Sequence, residues 1–258
     1  MKDRKASLKV LVAAGLDPTG GAGLAADVAA LLAVGARALP VATALTVQGP
    51  AGAIRYESVP ARFVVAQVEG LFHGRGARPA AVKTGMLGSG ANAAALAKLV
   101  ADGPLAGLPL VVDPVLVASS GLALLEDSRG RPPAQVLAPL LAAATVVTPN
   151  WPELAALSGS DLVSLESDDD AVEAARGLSC QAVLVKGGHR PGAPVDLLVR
   201  GREVRRFEGS RRPGTARGTG CRLASALAGL LAQGATLDQA VRGAKKVVER
   251  YLDAEAGR

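Results

Sequence analysis

The residues best suited to chemistry lie late in the chain, in the run Gly218-Thr219-Gly220-Cys221. This run opens a helix-like stretch, residues 222–233. Successive backbone N–H groups at a helix N-terminus stabilise negative charge, including the charge that develops on a phosphoryl group in transfer. We expect the helix dipole and any nearby cation to lower the pKa of the Cys221 thiol from about 8.5, so that its thiolate could take a proton from a substrate hydroxyl. The alternative is a small buried cysteine that packs at a helix N-terminus.

A second glycine-rich segment, residues 15–23, leaves the first predicted strand and opens a helix. Glycines there let backbone N–H groups approach a ligand closely, and the helix N-terminus favours an anion. The segment is not a Walker P-loop, because Gly21 stands where that motif has lysine. A tight strand-to-helix turn is the alternative. Asp27 falls about two turns into the helix, where its carboxylate could meet a substrate or face solvent.

Polar residues follow two other predicted strands. Asp113 ends one strand, and Thr148-Pro149-Asn150 with Glu153 ends the next. In open α/β sheets, ligands bind beyond the carboxyl ends of the strands. Carboxylates at two such ends could hold Mg²⁺ and leave room for phosphates. The alternative for Glu153 is a helix N-terminal charge that complements the dipole.

Two further polar residues follow strands. Lys186 precedes Gly187-Gly188-His189, and a lysine there can pair with phosphate while the glycines leave the backbone room. A solvated loop lysine is the alternative. Gln48 follows the apolar run 42–47, and its amide offers a donor and an acceptor to the edge of a heterocycle. An ordinary turn glutamine is the alternative.

Hydrophobic patterning predicts the elements that position these residues. Continuous apolar runs, as in strands of a parallel sheet covered on both faces, occupy residues 8–14, 38–45, 80–84, 108–113, 144–148 and 182–186. Helix-like stretches occupy residues 21–34, 61–72, 91–101, 133–142, 168–177, 220–231 and 237–253, the last opening after Thr236 as N-cap. Hairpin-like additions are predicted at 51–59 and 196–207. We predict a single α/β domain of residues 1–258, core about 8–253, with a central mostly parallel sheet and helices on both faces.

Composition narrows the class of protein. Of the 258 residues, 49% are apolar and only 2% aromatic, so a large core is available but no aromatic stacking platform for nucleic acid. Two cysteines make neither a disulfide framework nor a metal motif, and Cys180 is expected in the core. The net charge of +6 includes arginine clusters at 202–206 and 211–212, which suit a solvated surface or an anionic partner. We expect a cytoplasmic protein without nucleic-acid or membrane partners, since no long apolar run is free of breakers.

Taken in order, these segments resemble the hydroxymethylpyrimidine and phosphomethylpyrimidine kinases of thiamin biosynthesis, within the ribokinase-like superfamily. The likeness runs from about residue 10 to 251. The motifs that carry it are Ala14-Gly15 with Gly20-Gly21-Ala22-Gly23 and Asp27, Lys83-Thr84-Gly85-Met86-Leu87, Asp113-Pro114-Val115, Thr148-Pro149-Asn150 with Glu153, Val185-Lys186-Gly187-Gly188-His189, and Gly218-Thr219-Gly220-Cys221.

The resemblance implies a ribokinase-like α/β domain that transfers the γ-phosphate of ATP to 4-amino-5-hydroxymethyl-2-methylpyrimidine and then to its monophosphate, with Mg²⁺. It implies that Gln48 reads the pyrimidine, that Met86 packs on the ring, and that Gly15, Ala22 and Asp27 line the same site. On the phosphate side it implies Asn150 and Glu153 near Mg²⁺, with Asp113 similarly placed, Lys186 facing the nucleotide phosphates, Cys221 as the base, and Gly218, Thr219 and Gly220 in the anion hole. Relatives often dimerise, which makes a homodimer possible.

Some residues depart from the family pattern. Arg217 replaces the usual histidine before the Gly-Thr-Gly-Cys run, and Arg222 replaces a small residue or threonine after it. Residues 117–122 lack the lysine and aspartate usual there, with Ser119 in the lysine position. We hypothesise that the two arginines replace the lost charge and depress the thiol pKa, unless Arg222 points to solvent. A pyridoxal or pyridoxine kinase, or a catalytically impaired pyrimidine-binding regulatory protein, are the alternative functions.

Overall fold

The computed structural model describes residues 8–49, 52–74, 77–188, 192–212 and 216–257. His189 lies outside these ranges. These ranges contain eleven strands in chain order: β1 Lys9–Leu16, β2 Arg37–Gly49, β3 Gly52–Ser58, β4 Ala81–Thr84, β5 Gly88–Ser89, β6 Leu110–Val112, β7 Leu125–Glu126, β8 Val146–Val147, β9 Val183–Val185, β10 Val195–Arg200 and β11 Glu203–Glu208. The described part of the chain also contains eight α-helices: α1 Gly23–Ala33, α2 Ala61–Gly70, α3 Gly90–Ala101, α4 Pro133–Ala142, α5 Trp151–Ser158, α6 Asp168–Arg176, α7 Thr219–Ala232 and α8 Leu237–Ala256.

Nine strands form one sheet in the order β11-β10-β9-β8-β6-β4-β1-β2-β3. The six inner strands, β9 through β2, pair in parallel, whereas β3 pairs antiparallel with β2, and β10 with β9 and β11. β5 and β7 form a separate short parallel pair. The predicted α/β sandwich with a mostly parallel sheet is confirmed, and so are the two hairpin additions at its edges.

Helices cover both faces of the sheet, which explains the continuous hydrophobicity of its strands. Alternate residues of β1 enter two different cores: Leu11 packs with α2 to α6 on one face, and Val12 packs with α1, α7 and α8 on the other. Both side chains are fully buried. A parallel sheet buried on two faces requires this pattern.

One helix was not predicted from hydrophobic periodicity. α5 begins after Asn150, whose side-chain oxygen accepts the Glu153 N–H at 2.8 Å while the Glu153 carboxylate accepts the Asn150 N–H at 2.7 Å. The sequence contains the Asn-x-x-Glu pattern of this reciprocal capping box. The helix is only eight residues long, however, which is too short to show a clear periodicity of apolar residues. The predicted N-cap of α8 at Thr236 is confirmed.

The arginine clusters have acidic neighbours on the surface. Arg205 pairs with Asp238 at 2.7 Å, and Arg212 with Asp253 at 2.8 Å. Cys180 is half-buried against the core of α2 to α6, and its thiol donates to the Ala182 carbonyl at 3.4 Å. None of the helices within the described ranges has the length and apolar character needed to span a bilayer.

Candidate active site

A cavity of about 760 Å³ opens at the carboxyl ends of the parallel strands. Each inner strand contributes a residue at or just beyond its end, because parallel strands all finish at the same edge. The predicted residues that line the cavity are Gly15, Ala22, Gln48, Met86, Asp113, Asn150, Glu153, Lys186, Gly218, Thr219, Gly220 and Cys221. Tertiary structure therefore brings together residues that lie up to about two hundred positions apart in the chain.

The N-terminus of α7 lies against the first glycine-rich loop. Gly218, the N-cap, has φ 71°, a left-handed conformation that favours glycine. A Cβ added there would lie 2.3 Å from the Gly21 carbonyl oxygen, which is a prohibitive distance. Gly220 is less constrained, since its Cβ would lie 3.1 Å from Lys186 Nζ, the movable end of a long side chain. The glycines of this run allow two loops and a lysine to meet at one helix N-terminus, where backbone N–H groups favour an anion.

Lys186 joins the two carboxylates that were predicted to hold a metal. Its Nζ lies 2.8 Å from Asp113 Oδ1 and 3.6 Å from Glu153 Oε2. The other Asp113 oxygen, Oδ2, is buried and has no hydrogen-bond partner among the described residues. Burial by itself would raise the pKa of Asp113, but the ammonium groups of Lys186 and Lys83 outweigh it and hold the pKa below its usual range. Burial raises the pKa of Glu153.

These two carboxylates fit Mg²⁺, which binds one or two protein carboxylates and completes its shell with phosphates and water. Asp113 Oδ2, which has no hydrogen-bond partner in the described part of the chain, is a ligand atom of the right kind. Within the described ranges no group of three or more potential ligands is present, so an all-protein metal cage is not formed there. Glu153 also caps α5 through Oε2. The structural and the functional interpretations of Glu153 are therefore compatible.

The predicted low pKa of Cys221 is wrong. Burial raises the pKa of this thiol to about 11, against the opposing effect of the Lys83 ammonium, and the carboxylates of Asp27 and Asp113 raise it further. The helix dipole is worth less than the desolvation of a charged thiolate in this position. Cys221 is therefore a protonated thiol at neutral pH.

Neither arginine is among the main causes that set the pKa of that thiol, which is raised, and Arg222 does not point to solvent. Arg222 is only 8% exposed, lies 3.7 Å above the Tyr251 ring, and donates to the Gly21 carbonyl at 3.0 Å. Arg217 pairs with Asp17 at 3.0 Å. Both side chains join loops, and Lys83 is the cation that acts most on Cys221.

Asp27 does not line the cavity, which corrects its predicted placement. The carboxylate is fully buried behind it, where Oδ1 accepts from Lys83 Nζ at 2.8 Å and from the Ser225 hydroxyl at 2.7 Å. The side chain falls on the inner face of α1, which packs against α7 and the sheet. Burial raises the pKa of Asp27, although Lys83 opposes the change.

Lys83 begins the motif Lys83-Thr84-Gly85-Met86-Leu87 that contributes to the family resemblance, but it was not predicted as a site residue. It is fully buried on β4, pairs with Asp27 and interacts electrostatically with Cys221 and Asp113. Burial alone would lower its pKa, but the charge of Asp27 outweighs burial and raises it. The sequence signal was a lysine inside the apolar run 80–84, where a charge needs a buried partner.

At the other end of the cavity, Gln48, Gly15 and Met86 lie on neighbouring strand ends. The Gln48 amide oxygen accepts from the Thr46 hydroxyl at 3.2 Å, which orients the side chain. A Cβ at Gly15 would lie 2.8 Å from Met86 Sδ, so Gly15 lets the thioether approach the backbone. These residues form a half-buried surface with an amide beside an apolar contact, suited to a flat heterocycle.

Asp196 is another residue that sequence reasoning missed. Its carboxylate accepts the Gly187 N–H at 2.8 Å and the Lys245 ammonium at 2.6 Å, and the side chain lines the cavity. It therefore fixes the loop that follows Lys186. The available signal was an aspartate among the apolar residues that begin strand β10.

Comparisons with known proteins agree with this geometry. A family model described as phosphomethylpyrimidine kinase matches residues 17–257. The hydroxymethylpyrimidine/phosphomethylpyrimidine kinase of Streptomyces coelicolor is 40% identical over 249 residues, covering 95% of this chain and 88% of that protein. A solved phosphomethylpyrimidine kinase from Clostridium difficile has a TM-score of 0.78 at 30% identity, with 95% and 100% of the two chains covered. A pyridoxal kinase from Staphylococcus aureus in complex with ADP has a TM-score of 0.81 at 29% identity, with 95% and 87% covered.

Proposed function

Because this chain belongs to the phosphomethylpyrimidine kinase family, we propose that it transfers the γ-phosphate of ATP to 4-amino-5-hydroxymethyl-2-methylpyrimidine, to its monophosphate or to both, in thiamin biosynthesis. One observation carries the proposal. A single cavity joins the Gln48 and Met86 surface to the helix N-terminus at Gly218–Cys221 and to Lys186. A heterocycle at the first surface can thus present its hydroxyl where an anion is stabilised.

The nucleotide phosphates would lie between Lys186, the strand-end carboxylates and the N-terminus of α7. Mg²⁺, when bound with ATP by Asp113 and Glu153, would neutralise phosphate charge. Lys186 is already within 3.6 Å of both carboxylates and beside Gly220, so it can contact a phosphate there with little movement. The N–H groups of residues 218–221 would stabilise charge on the transferring group, which is the main task of a protein in phosphoryl transfer.

Cys221 would accept the proton of the substrate hydroxyl. It lies in the first turn of α7, on the cavity wall, next to the donors of the anion hole. Because burial keeps its thiol protonated at neutral pH, the reactive thiolate is a minor form, and turnover should rise with pH through the neutral range. The buried Lys83 ammonium favours the thiolate.

The alternative substrate is pyridoxal, a second hydroxymethylated heterocycle, and it is favoured by the similarity to a pyridoxal kinase structure. A regulatory protein without kinase activity is less well supported, since Asn150, Glu153, Lys186 and Cys221 line one cavity.

We further propose a single catalytic domain, supported by the continuous nine-stranded sheet. Homodimerisation is proposed from the apolar outer hairpin, where Ile54 is 73% exposed on the edge strand β3.

Product analysis by mass tests the function. The wild-type protein is incubated with Mg-ATP and, in separate reactions, hydroxymethylpyrimidine, its monophosphate and pyridoxal. We expect phosphorylated pyrimidine products and a lower kcat/KM with pyridoxal. A higher kcat/KM with pyridoxal would support the alternative enzyme. Binding of the pyrimidine without any ATP-dependent product would support the regulatory protein.

A further inference from the structure

Arg217 lies at the junction of the heterocycle surface and the anion hole. Its guanidinium group donates to the Gly49 carbonyl at 3.3 Å, one residue beyond Gln48, and pairs with the Asp17 carboxylate at 3.0 Å. Its backbone directly precedes Gly218, and the side chain lines the cavity. The positive charge is therefore held between the proposed ring site and the proposed transfer site.

The backbone of Arg217 is fixed by the last two helices. The Tyr251 hydroxyl on α8 donates to its carbonyl oxygen at 3.1 Å, and the Arg222 guanidinium on α7 donates to the same atom at 3.4 Å. Arg222 in turn stacks on the Tyr251 ring. A side chain that starts from a fixed backbone loses less conformational freedom when it binds a ligand. The position of Arg217 is thus preorganised.

The guanidinium group can exchange its protein partner for a ligand at low cost. Asp17 keeps three other donors, the Thr19 N–H at 2.9 Å, the Thr19 hydroxyl at 2.8 Å and the Ala22 N–H at 3.0 Å. Arg217 contacts acceptors only through its two terminal nitrogens within the described part of the chain, which leaves its Nε–H available. Phosphate accepts two parallel N–H donors from one guanidinium group.

Among the described residues, each of the other cations that line the cavity also has a protein partner. Lys186 pairs with Asp113, and Lys245 pairs with Asp196. Arg212 pairs with Asp253, and Arg211 donates to the Gly192 carbonyl. The partner of Lys186 follows β6, and the other three partners lie on β10, on α8 and just before β10. Arg217 instead contacts Asp17, which follows β1, and Gly49, at the end of β2.

We propose that Arg217 binds the phosphate of the pyrimidine monophosphate and makes this chain prefer that substrate over the uncharged alcohol. The inference rests on the proposed function and names the substrate class within it. In this arrangement the pyrimidine ring lies against Gln48 and Met86, and its reacting oxygen points toward Cys221. The phosphate of the monophosphate then lies between these two places, beside Arg217. The guanidinium group would offset the repulsion between that phosphate and the phosphates of ATP.

The test compares kcat/KM for the alcohol and the monophosphate in wild-type protein, Arg217→Gln and Arg217→Lys. Arg217→Gln should lower kcat/KM for the monophosphate roughly tenfold to a hundredfold, through KM, as expected for loss of a charge-assisted contact. It should lower kcat/KM for the alcohol much less, because the alcohol has no phosphate to lose that contact. Arg217→Lys should restore part of the loss. Arg205→Gln removes one positive charge from a surface ion pair and serves as the control for net charge.

Equal losses for both substrates in Arg217→Gln, or no loss for the monophosphate, would overturn the inference. The affinity of the protein for each pyrimidine, measured by calorimetry without ATP, gives a second test that does not depend on turnover. Weaker binding of the monophosphate alone in Arg217→Gln would support the role of Arg217 even if wild-type protein phosphorylated neither pyrimidine, in which case only the proposed function would fail. Unchanged binding of the monophosphate in Arg217→Gln would overturn the inference that Arg217 binds its phosphate. Thermal unfolding of each variant separates a misfolded protein from an altered site.

Discussion

The ammonium group of Lys83 lies 2.8 Å from the carboxylate of Asp27, and both side chains are fully buried. Asp27 also accepts a hydrogen bond from Ser225, one turn beyond Cys221 on α7. The pair therefore connects α1, β4 and α7 directly behind the anion hole. A buried ion pair rarely adds to stability relative to apolar residues of the same size, so its position beside the reactive thiol matters more than its strength.

Removing one member of this pair should destabilise the fold strongly. Lys83→Met leaves a buried carboxylate without its counterion, and we expect the free energy of unfolding to fall by about 3–5 kcal/mol. Denaturant titration measures the change. Lys98→Met, at an exposed position on α3, is the matched control and should change stability by less than about 0.5 kcal/mol. Equal stability of the two variants would contradict the electrostatic role of the pair.

The Cys221 thiol should react only at alkaline pH. Since burial raises its pKa to about 11, the thiolate fraction grows tenfold with each pH unit below that value. Alkylation by iodoacetamide, followed at Cys221 by peptide mass spectrometry, should accelerate from pH 7 up to about pH 11 without levelling. A rate that levels near pH 8.5 would show that the thiol titrates as an exposed cysteine does.

Loss of the Cys221 thiol should affect chemistry more than binding. We expect Cys221→Ala to lower kcat by about 10²–10⁴-fold, the usual contribution of a positioned base, with a small change in KM for the pyrimidine. Steady-state kinetics checks this. Cys180→Ala, at the other cysteine, is the control and should keep kcat within about twofold. A Cys221→Ala variant with unchanged kcat would exclude the cysteine as proton acceptor.

Gly218 should be intolerant of a methyl group. In Gly218→Ala the new Cβ meets the Gly21 carbonyl oxygen at 2.3 Å, so the two loops must separate and the anion hole must distort. We expect kcat to fall by about 10²–10³-fold, as when one donor of such a hole is lost. Gly234→Ala is the control, because Gly234 also has positive φ but its Cβ would meet no atom of the described residues within 4 Å.

The Gly234→Ala control should lose only about 1 kcal/mol of stability and no activity, since strain is its sole cost. Kinetics and denaturant titration on both glycine variants distinguish the two effects. Comparable kcat values in Gly218→Ala and Gly234→Ala would show that the close approach to Gly21 does not matter for catalysis.

The strands and most of the cavity residues could be predicted from the sequence, because hydrophobic patterning and strand-end position indicate the same arrangement. Continuous apolar runs identified the parallel strands, and the requirement that parallel strands end at one edge placed Gln48, Asp113 and Lys186 in one cavity. The resemblance to a kinase family rested on ordered motifs, which a single sequence displays in full. The helix α5 was missed as an element, although its capping residues Asn150 and Glu153 were identified for another reason.

Only the tertiary structure decided the electrostatics. Whether Asp27 reaches the cavity depends on the rotation of α1 against the sheet, and it faces Lys83 instead. The pKa of Cys221 depends on how much water the folded cavity admits and on charges contributed by other strands, which no local pattern contains. The same holds for Arg217 and Arg222, since their partners Asp17 and Gly21 lie about two hundred residues away in the chain. Residue type and spacing establish which chemistry is available, but long-range packing sets the protonation states and contacts through which it operates.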